Sequence, residues 1–268
     1  MSSKPHSPRD SLFAQPLGNV AEFTFDDRVA SVFPDMLKRS IPGYQAIISQ
    51  SGLLAAQFAQ PNTHLYDLGC SLGATSLSMQ KAMLAEKNSF NEDETALPNK
   101  PYAGCEIHAI DTSQAMLDRA RDIIEGETSP GSAQLPIVLR CADARTTPLH
   151  NASVVAMNFT MQFIEPDNRE QLIERIASSL VSGGAFILSE KVTFTDPVLS
   201  DLHIKMYHSF KSANGYSDLE ISQKRTALEN VLVPDTLDTH LLRLRQAGFK
   251  RCSVWFQCFN FASIVAIK

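Results

Sequence analysis

The feature that most constrains the fold is a succession of short apolar segments, mostly separated by amphipathic ones, between residues 63 and 189. Strands that alternate with helices in this way form β-α-β units, in which the strands run parallel and helices cover both faces of the sheet. The pattern therefore predicts a parallel sheet. Its predicted strands are 64–68, 106–110, 137–141, 154–158 and 185–189.

Residues 251–268 are rich in aromatic and β-branched side chains, which predicts two closing strands joined near Asn260, the final pair antiparallel. Ser113 is the predicted N-cap of one intervening helix, and another is expected to stop at Gly183-Gly184. The predicted fold class is α/β: a Rossmann-like, seven-stranded, mostly parallel sheet with helices on both faces, N-terminal helices and a helical cap insertion.

A chain of 268 residues that is 44% hydrophobic is long enough to bury one sizeable core. Residues 1–20 are polar and rich in serine and proline, which predicts a mobile N-terminus, and residues 21–268 are expected to form a single domain. The segment 193–234 holds two predicted helices where a short connection would suffice, so we interpret it as a cap. The first of these helices is expected to face inward with Leu199, Leu202, Met206 and Phe210.

The charge balance, 24 basic against 29 acidic residues with a net charge of −5, disfavours direct binding of nucleic acid. No segment has the length and apolarity of a signal peptide or a spanning helix. The five cysteines are an odd number without a C-x-x-C pair, which is typical of reduced packing residues. These features predict a cytoplasmic protein without membrane contact, and no metal site is expected.

The first predicted strand runs directly into Gly69-Cys70-Ser71-Leu72-Gly73 and then into a helix. Glycines at such a corner allow a sharp turn and a close approach of the backbone to a nucleotide. Because the pattern is D-x-G-x-x-x-G and not G-x-G-x-x-G, it favours S-adenosylmethionine over a dinucleotide. A purely structural strand-to-helix turn remains the alternative.

Single polar residues follow the next three strands. Asp111, beside Thr112, is placed to accept hydrogen bonds from ribose hydroxyls, with a helix cap as the alternative. Asp143 can accept a hydrogen bond from an adenine amino group, and Asn158 ends the fourth strand. Each of these two alone fits a turn former equally well. Together the strand ends predict one ligand crevice.

The second cap helix carries a cation on an apolar stripe, since Ile221, Arg225, Leu228 and Leu232 recur at helical spacing. An inward Arg225 needs an anion, which is either a structural carboxylate or the carboxylate of a substrate. Lys224 and Lys191 are interpreted as solvated charges.

Several runs of the chain resemble carboxy-S-adenosylmethionine synthases, which lie in the methyltransferase-like superfamily. The resemblance extends over nearly the whole chain after the first ten residues, and a polar insertion at 87–104, expected to be a surface loop, is the main departure. The runs that carry it are VFPDM (32–36), RSIPGY (39–44), YDLGCSLG (66–73), ANGYS (213–217), ISQKR (221–225), LENV (228–231) and WFQCFNF (255–261).

The resemblance implies an enzyme, a transferase that converts S-adenosylmethionine and prephenate to carboxy-S-adenosylmethionine and phenylpyruvate. It further implies a homodimer, and a functional link to a separate carboxymethyltransferase that modifies the wobble uridine of transfer RNA to 5-oxyacetyluridine. Arg225 would hold the new carboxylate. The implied ligand contacts are Tyr44, Gly69, Cys70, Ser71, Asp111, Thr112, Asp143, Ala144, Asn158 and Arg225.

Two other functions share the same crevice. One is an ordinary S-adenosylmethionine-dependent methyltransferase, and the other is a non-catalytic S-adenosylmethionine-binding partner protein in which Arg225 is structural. The acceptor of the methyl proton and the residues that bind prephenate do not follow from the sequence.

Overall fold

The computed structural model describes residues 8–85, 102–127 and 135–268. They contain one seven-stranded sheet with the strand order β3-β2-β1-β4-β5-β7-β6. Both the predicted fold class and the number of strands are confirmed. The strands are β1 His64–Leu68, β2 Glu106–Asp111, β3 Ile137–Cys141, β4 Ala152–Asn158, β5 Leu180–Lys191, β6 Arg251–Cys258 and β7 Phe261–Ile267.

The first five strands are parallel to one another, and β7 lies antiparallel between β5 and β6. The predicted antiparallel pair at the end of the chain is therefore confirmed. The strand β1 is hydrogen-bonded to β2 on one side and to β4 on the other. Because the strand order reverses between β1 and β4, a crevice opens at their carboxyl ends, where open α/β sheets bind ligands.

Helices cover both faces of the sheet. On one face Leu172, Ile173 and Ile176 of α5 join the largest core cluster, and on the other Met79 and Met83 of α3 pack against β1, β2 and β4. No helix in the three described stretches is long and apolar enough to cross a bilayer. The helices are α1 Asp27–Ser40, α2 Tyr44–Phe58, α3 Ala74–Ala85, α4 Gln114–Glu127, α5 Pro166–Ser179, α6 Pro197–Ala213, α7 Asp218–Leu228 and α8 Leu237–Gln246.

The predicted end of α5 at Gly183-Gly184 is wrong. The helix ends at Ser179, the next residue is already extended, and β5 runs from Leu180 through both glycines. A Cβ atom at Gly184 would lie 2.9 Å from the carbonyl oxygen of Ser153 on β4. The glycine therefore serves the close approach of two strands.

The part of the predicted mobile N-terminus that the structure describes, residues 8–20, packs on the rest of the chain, which differs from the prediction. Asp10 is 1% exposed and accepts a hydrogen bond from the Tyr216 hydroxyl group. The backbone N–H of Leu17 donates to the Gln223 side chain at 2.7 Å. Residues 1–7 and most of the predicted insertion at 87–104 lie outside the described residues.

The predicted inward stripe of α6 is wrong for three of its four residues in the single chain. Leu199, Leu202 and Met206 are 46%, 49% and 38% exposed, and Val198 beside them is 74% exposed. Only Phe210 of the stripe contributes to the wall of an internal cavity. The helix therefore presents an apolar surface outward.

Candidate active site

A cavity of about 1040 Å³ opens at the carboxyl ends of β1 to β4. Its walls also include residues of α1, α2, α6 and α7. Its size and mixed lining are typical of a site for a small organic ligand. Nine of the ten predicted contact residues line it: Tyr44, Gly69, Cys70, Ser71, Asp111, Thr112, Asp143, Ala144 and Asn158.

The loop after β1 depends on backbone conformations that favour glycine. Gly69 and Gly73 both have φ of +76°, and Ser71 between them has φ of +51°. A Cβ atom at Gly69 would overlap the side chain of Thr160, the second residue after β4. The loop after β1 and the loop after β4 therefore touch at a position where no larger residue fits.

Asp111 fastens the loop after β1 to the loop after β2. Its two carboxylate oxygens accept hydrogen bonds from the backbone N–H groups of Ser71 and Ser113, each at 2.9 Å. Burial raises the pKa of Asp111, and these hydrogen bonds oppose the rise. Each oxygen keeps one lone pair for a further donor, such as a ribose hydroxyl.

The N-cap of α4 is Ser113, two residues after Asp111. The Ser113 hydroxyl oxygen accepts a hydrogen bond from the backbone N–H of Met116 at 3.2 Å, which confirms Ser113 as the cap of α4. Because Ser113 performs this role with its side chain, the cap alone does not account for the Asp111 carboxylate.

Asp67 holds the other end of the first loop. It is 1% exposed, and one carboxylate oxygen accepts hydrogen bonds from the backbone N–H of Ser76 at 3.0 Å and from its hydroxyl at 2.7 Å. Burial raises the pKa of Asp67 to about 6, and the nearby charge of Asp111 adds to the rise. The start of α3 is thus tied to a carboxylate with a proton affinity near neutral pH.

Asn158 carries an unsatisfied acceptor. Its amide nitrogen donates to the Thr75 hydroxyl at 3.0 Å, while its buried Oδ1 atom has no hydrogen-bond partner among the described residues. An orphaned buried oxygen is costly unless a ligand donor reaches it. The amino group and the hydroxyls of S-adenosylmethionine supply such donors, so the side chains present fit this ligand.

Glu190 fixes the turn that follows Asn158. It is 2% exposed, and its carboxylate accepts backbone hydrogen bonds from Thr160, Met161 and Gln162 at 2.8–3.1 Å. Phe159 just before this turn has φ of +59°, a conformation that costs a non-glycine residue about 1–2 kcal/mol. Burial raises the pKa of Glu190 to about 8. The clamp holds Phe159 at the cavity wall.

Asp143 is already engaged by an arginine. The guanidinium of Arg145 lies 2.7 Å from its carboxylate and also contacts Glu165 at 2.9 Å. The Arg145 hydrogen bonds hold the pKa of Asp143 below its usual range. An ionised Asp143 retains acceptor capacity toward an amino group.

The predicted inward position of Arg225 is wrong. The side chain is exposed and lines a separate groove between α6 and α7, together with His208 and Asp218. Its charge still lowers the pKa of Lys191, which lines the main cavity. Arg225 therefore lies near the cavity without reaching it from within this chain.

Lys191 and Lys224 are not solvated as predicted. Both line the cavity, Lys224 is only 6% exposed, and Lys211 nearby is 4% exposed. The relevant face of α7 contains Ile221, Lys224 and Ala227, all buried, at a spacing of three. The sequence also contains this alternative helical face. The prediction instead followed the longer apolar series that includes Arg225.

Comparisons with known proteins define the class. A family model described as a methyltransferase domain matches residues 95–184. Human N-acetylserotonin methyltransferase in complex with SAM is similar with a TM-score of 0.53 and 16% identity, covering 90% of this chain and 55% of that one. Magnesium protoporphyrin IX methyltransferase from Synechocystis PCC 6803 with bound SAH has a TM-score of 0.55 and 15% identity over 87% of both chains. The fold is that of the S-adenosylmethionine-dependent methyltransferases.

Curated relatives narrow the class. A carboxy-S-adenosyl-L-methionine synthase of Geobacter sp. (strain M21) is 49% identical over 259 residues, which cover 97% of this chain and 98% of that protein. The protein of the same name from Yersinia pestis (strain Pestoides F) is 48% identical over 98% of this chain and 93% of its own length. The chain belongs to the carboxy-S-adenosyl-L-methionine synthase family.

We expect Gly69→Ala to lower the free energy of unfolding by about 2–4 kcal/mol, because the positive φ and the overlap with Thr160 both oppose a methyl group. The control is Gly126→Ala in α4, where a Cβ atom meets nothing within 4 Å and a gain of about 0.5–1 kcal/mol is expected. Denaturant unfolding of both variants measures the contrast, and equal effects would contradict the proposed role of Gly69.

We expect Asp67→Asn to change the pH dependence of stability. Because the folded pKa is about 6 against 3.8, the Asp67 contribution is fully present below about pH 4 and is lost as the pH rises through 6. From pH 4 to pH 7 the variant should therefore gain about 2–3 kcal/mol relative to wild type. Denaturant unfolding across this range is the measurement, with the exposed Asp122→Asn as control. Parallel pH curves of variant and wild type would refute the assignment.

Proposed function

We propose that this protein converts S-adenosylmethionine and prephenate to carboxy-S-adenosylmethionine and phenylpyruvate. The main support for the proposal is the sequence similarity to a carboxy-S-adenosyl-L-methionine synthase, which is 49% identical over nearly its full length. The cavity at the strand ends adds support, because it gathers nine of the residues at which the family resemblance implied ligand contacts.

The proposed reaction balances without a further reagent. The ring carboxylate of prephenate leaves as carbon dioxide, a C–H bond of the S-methyl group breaks, and its carbon forms a bond to carbon dioxide. The methyl proton leaves with the ring hydroxyl group as water, and phenylpyruvate remains. A positively charged sulfur acidifies the adjacent methyl group, which is the chemistry that S-adenosylmethionine supplies when bound.

The chain's own residues bind and orient the nucleoside. Asp111 accepts hydrogen bonds from the ribose hydroxyls with its free lone pairs, and Asp143 accepts one from the adenine amino group. The unpaired Oδ1 atom of Asn158 accepts a hydrogen bond from the amino-acid end. The cap segment 193–234 closes the opposite side, where Tyr207 and Phe210 exclude water.

Arg225 lies outside the cavity of its own chain. We propose that the protein is a homodimer in which Arg225 reaches the cavity of the other subunit. The exposed apolar residues of α6 suit a subunit interface, because Val198, Leu199 and Leu202 lie together near one end of the helix. The groove that contains Arg225 is formed by the same helix. Arg225 of one subunit then binds the new carboxylate in the cavity of the other.

The setting of the reaction is the cytoplasm, and the product serves a separate enzyme that carboxymethylates the wobble uridine of transfer RNA. The net charge of −5 supports a division of labour in which this protein does not itself hold the nucleic acid. No nucleic-acid contact is needed for the chemistry above.

Incubation of the protein with S-adenosylmethionine and prephenate should yield a nucleoside heavier than S-adenosylmethionine by the mass of carbon dioxide, detected by mass spectrometry. Arg225→Ala should reduce its formation by about 100-fold or more, because the carboxylate loses its charged partner. The exposed Arg245→Ala is the control. A methylated acceptor without the heavier nucleoside would favour an ordinary methyltransferase. Absence of any turnover would favour a non-catalytic binding protein.

Mixing two inactive variants tests whether Arg225 acts across the dimer. Arg225→Ala has an intact cavity, and Asp111→Ala has an intact arginine. After refolding or subunit exchange at equal amounts, about a quarter of wild-type activity should return, since about half of the dimers are mixed and each has one complete site. Circular dichroism checks the folding of each variant first. Absence of any recovery in a mixture shown to contain mixed dimers would overturn the contribution from the partner subunit.

A further inference from the structure

Three lysines lie together on the cap side of the cavity. Lys191 at the end of β5 and Lys224 on α7 line the cavity wall. The ammonium groups of Lys191 and Lys211 lie 5.2 Å and 5.0 Å from the centre of the Tyr207 ring, which also lines the cavity. We refer to Lys191, Lys211 and Lys224 as the lysine cluster.

The lysine cluster has too few carboxylates around it. Lys224 lies 3.7 Å from a carboxylate oxygen of Asp10 and donates to the Ser40 hydroxyl at 3.1 Å. Lys191 and Lys211 have no carboxylate within 4.0 Å among residues 8–85, 102–127 and 135–268. Two ammonium groups with little solvent exposure thus lack an acidic partner.

The nearby Asp10 and Asp35 do not supply the missing carboxylate partners. Asp10 also accepts the hydroxyl hydrogen of Tyr216, and Asp35 is paired with Arg39 at 3.2 Å. The arginine itself stacks on the Tyr216 ring at 3.8 Å, which adds a further cation to this region. Lys191 and Lys211 are therefore the two lysines of the cluster that lack a carboxylate partner.

Burial is the main cause of lowered pKa values in the lysine cluster, and repulsion from the other two lysines adds to it at Lys211. Burial, together with the charges of Lys224 and Lys191, lowers the pKa of Lys211 to about 7. Burial lowers the pKa of Lys224 to about 8 and that of Lys191 as well, the latter with help from Arg225. A bound anion would oppose these shifts, because an opposite charge favours the protonated lysine.

We propose that the lysine cluster is the subsite that binds the carboxylates of the second substrate, a ring compound with two carboxylates. The inference rests on the proposed function, in which prephenate is that substrate. Its two negative charges match the two unpaired ammonium groups, of which Lys191 lines the cavity and Lys211 lies 5.0 Å from the centre of the Tyr207 ring on the cavity wall. Tyr207 and Phe261, whose rings meet edge-to-face with centroids 5.1 Å apart at the cavity wall, provide an apolar surface for its ring.

Another carboxylate in the reaction belongs to the amino-acid end of S-adenosylmethionine. That end also carries an ammonium group, so it is neutral overall and does not match two unpaired ammonium groups. The dicarboxylate is the better match, and kinetics for the two substrates separate the two sources.

The main experiment compares Lys191→Gln with Lys250→Gln, an exposed lysine between α8 and β6. Loss of one charge-assisted contact should raise the KM for prephenate of Lys191→Gln about tenfold or more, while the KM for S-adenosylmethionine stays within about twofold. Lys191→Arg keeps the charge and should recover much of the loss. Lys250→Gln should match wild type in both constants.

A second variant separates binding from structural support. Lys211→Met removes a buried charge that lacks a partner, so without substrate it should raise the Tm by about 2–4 °C while it raises the KM for prephenate. A lysine that only supports the fold would instead lower the Tm. This combination keeps the test informative if Lys191→Gln is poorly folded.

The outcomes are distinguishable. If wild type forms no carboxylated nucleoside, the proposed function fails. If wild type forms it and the KM for prephenate is unchanged in both variants, the lysine cluster is not the subsite. A rise confined to the KM for S-adenosylmethionine would assign the lysines to the amino-acid carboxylate and also overturn the proposal.

Discussion

The cavity depends on one recurring interaction, a carboxylate at the end of a parallel strand that accepts backbone N–H groups of a loop. Asp67 holds the start of α3, Asp111 joins two loops through Ser71 and Ser113, and Glu190 clamps the turn after β4. Loop N–H groups away from water need such acceptors, and each pairing restricts a loop to one conformation. The positive φ of Phe159 persists because the Glu190 clamp leaves the backbone no alternative.

The cavity wall has an acidic region and a basic region. Asp111 and Asp143 follow the strands on one side of the crevice, β2 and β3, whereas Lys191 ends β5 on the other side and Lys224 belongs to α7 of the cap. The acidic side of the cavity therefore suits the cationic sulfonium compound, and the lysine side suits a dianion. For an ordinary methyl transfer, cations near the sulfonium group are unfavourable, but they become favourable when carboxylates lie between the two. The lysines therefore suit the proposed reaction better than an ordinary methyl transfer.

Most of the sheet was predictable because its signals are local. Strands β1 and β3 have the predicted bounds, and the glycines after β1 have the backbone conformations that the motif requires. The errors at the candidate site concern side-chain direction on α6 and α7. Lys224 and Arg225 are neighbours in sequence, yet one is buried and the other exposed, since successive helix residues differ by about 100°. Long side chains tolerate either environment, so only tertiary packing decides between the two helical faces.

The exposed surface of α6 and the outward Arg225 have a common explanation. A helix that presents Val198 and Leu202 to water is unfavourable in an isolated chain, and the Arg225 guanidinium forms no ion pair within the described part of the chain. Both features become useful once a second subunit covers the helix. In the proposed dimer, Arg225 of one subunit would join the lysine cluster of the other subunit at one anionic region. Assembly and chemistry would then be coupled, since separation of the subunits would remove a charge from the site.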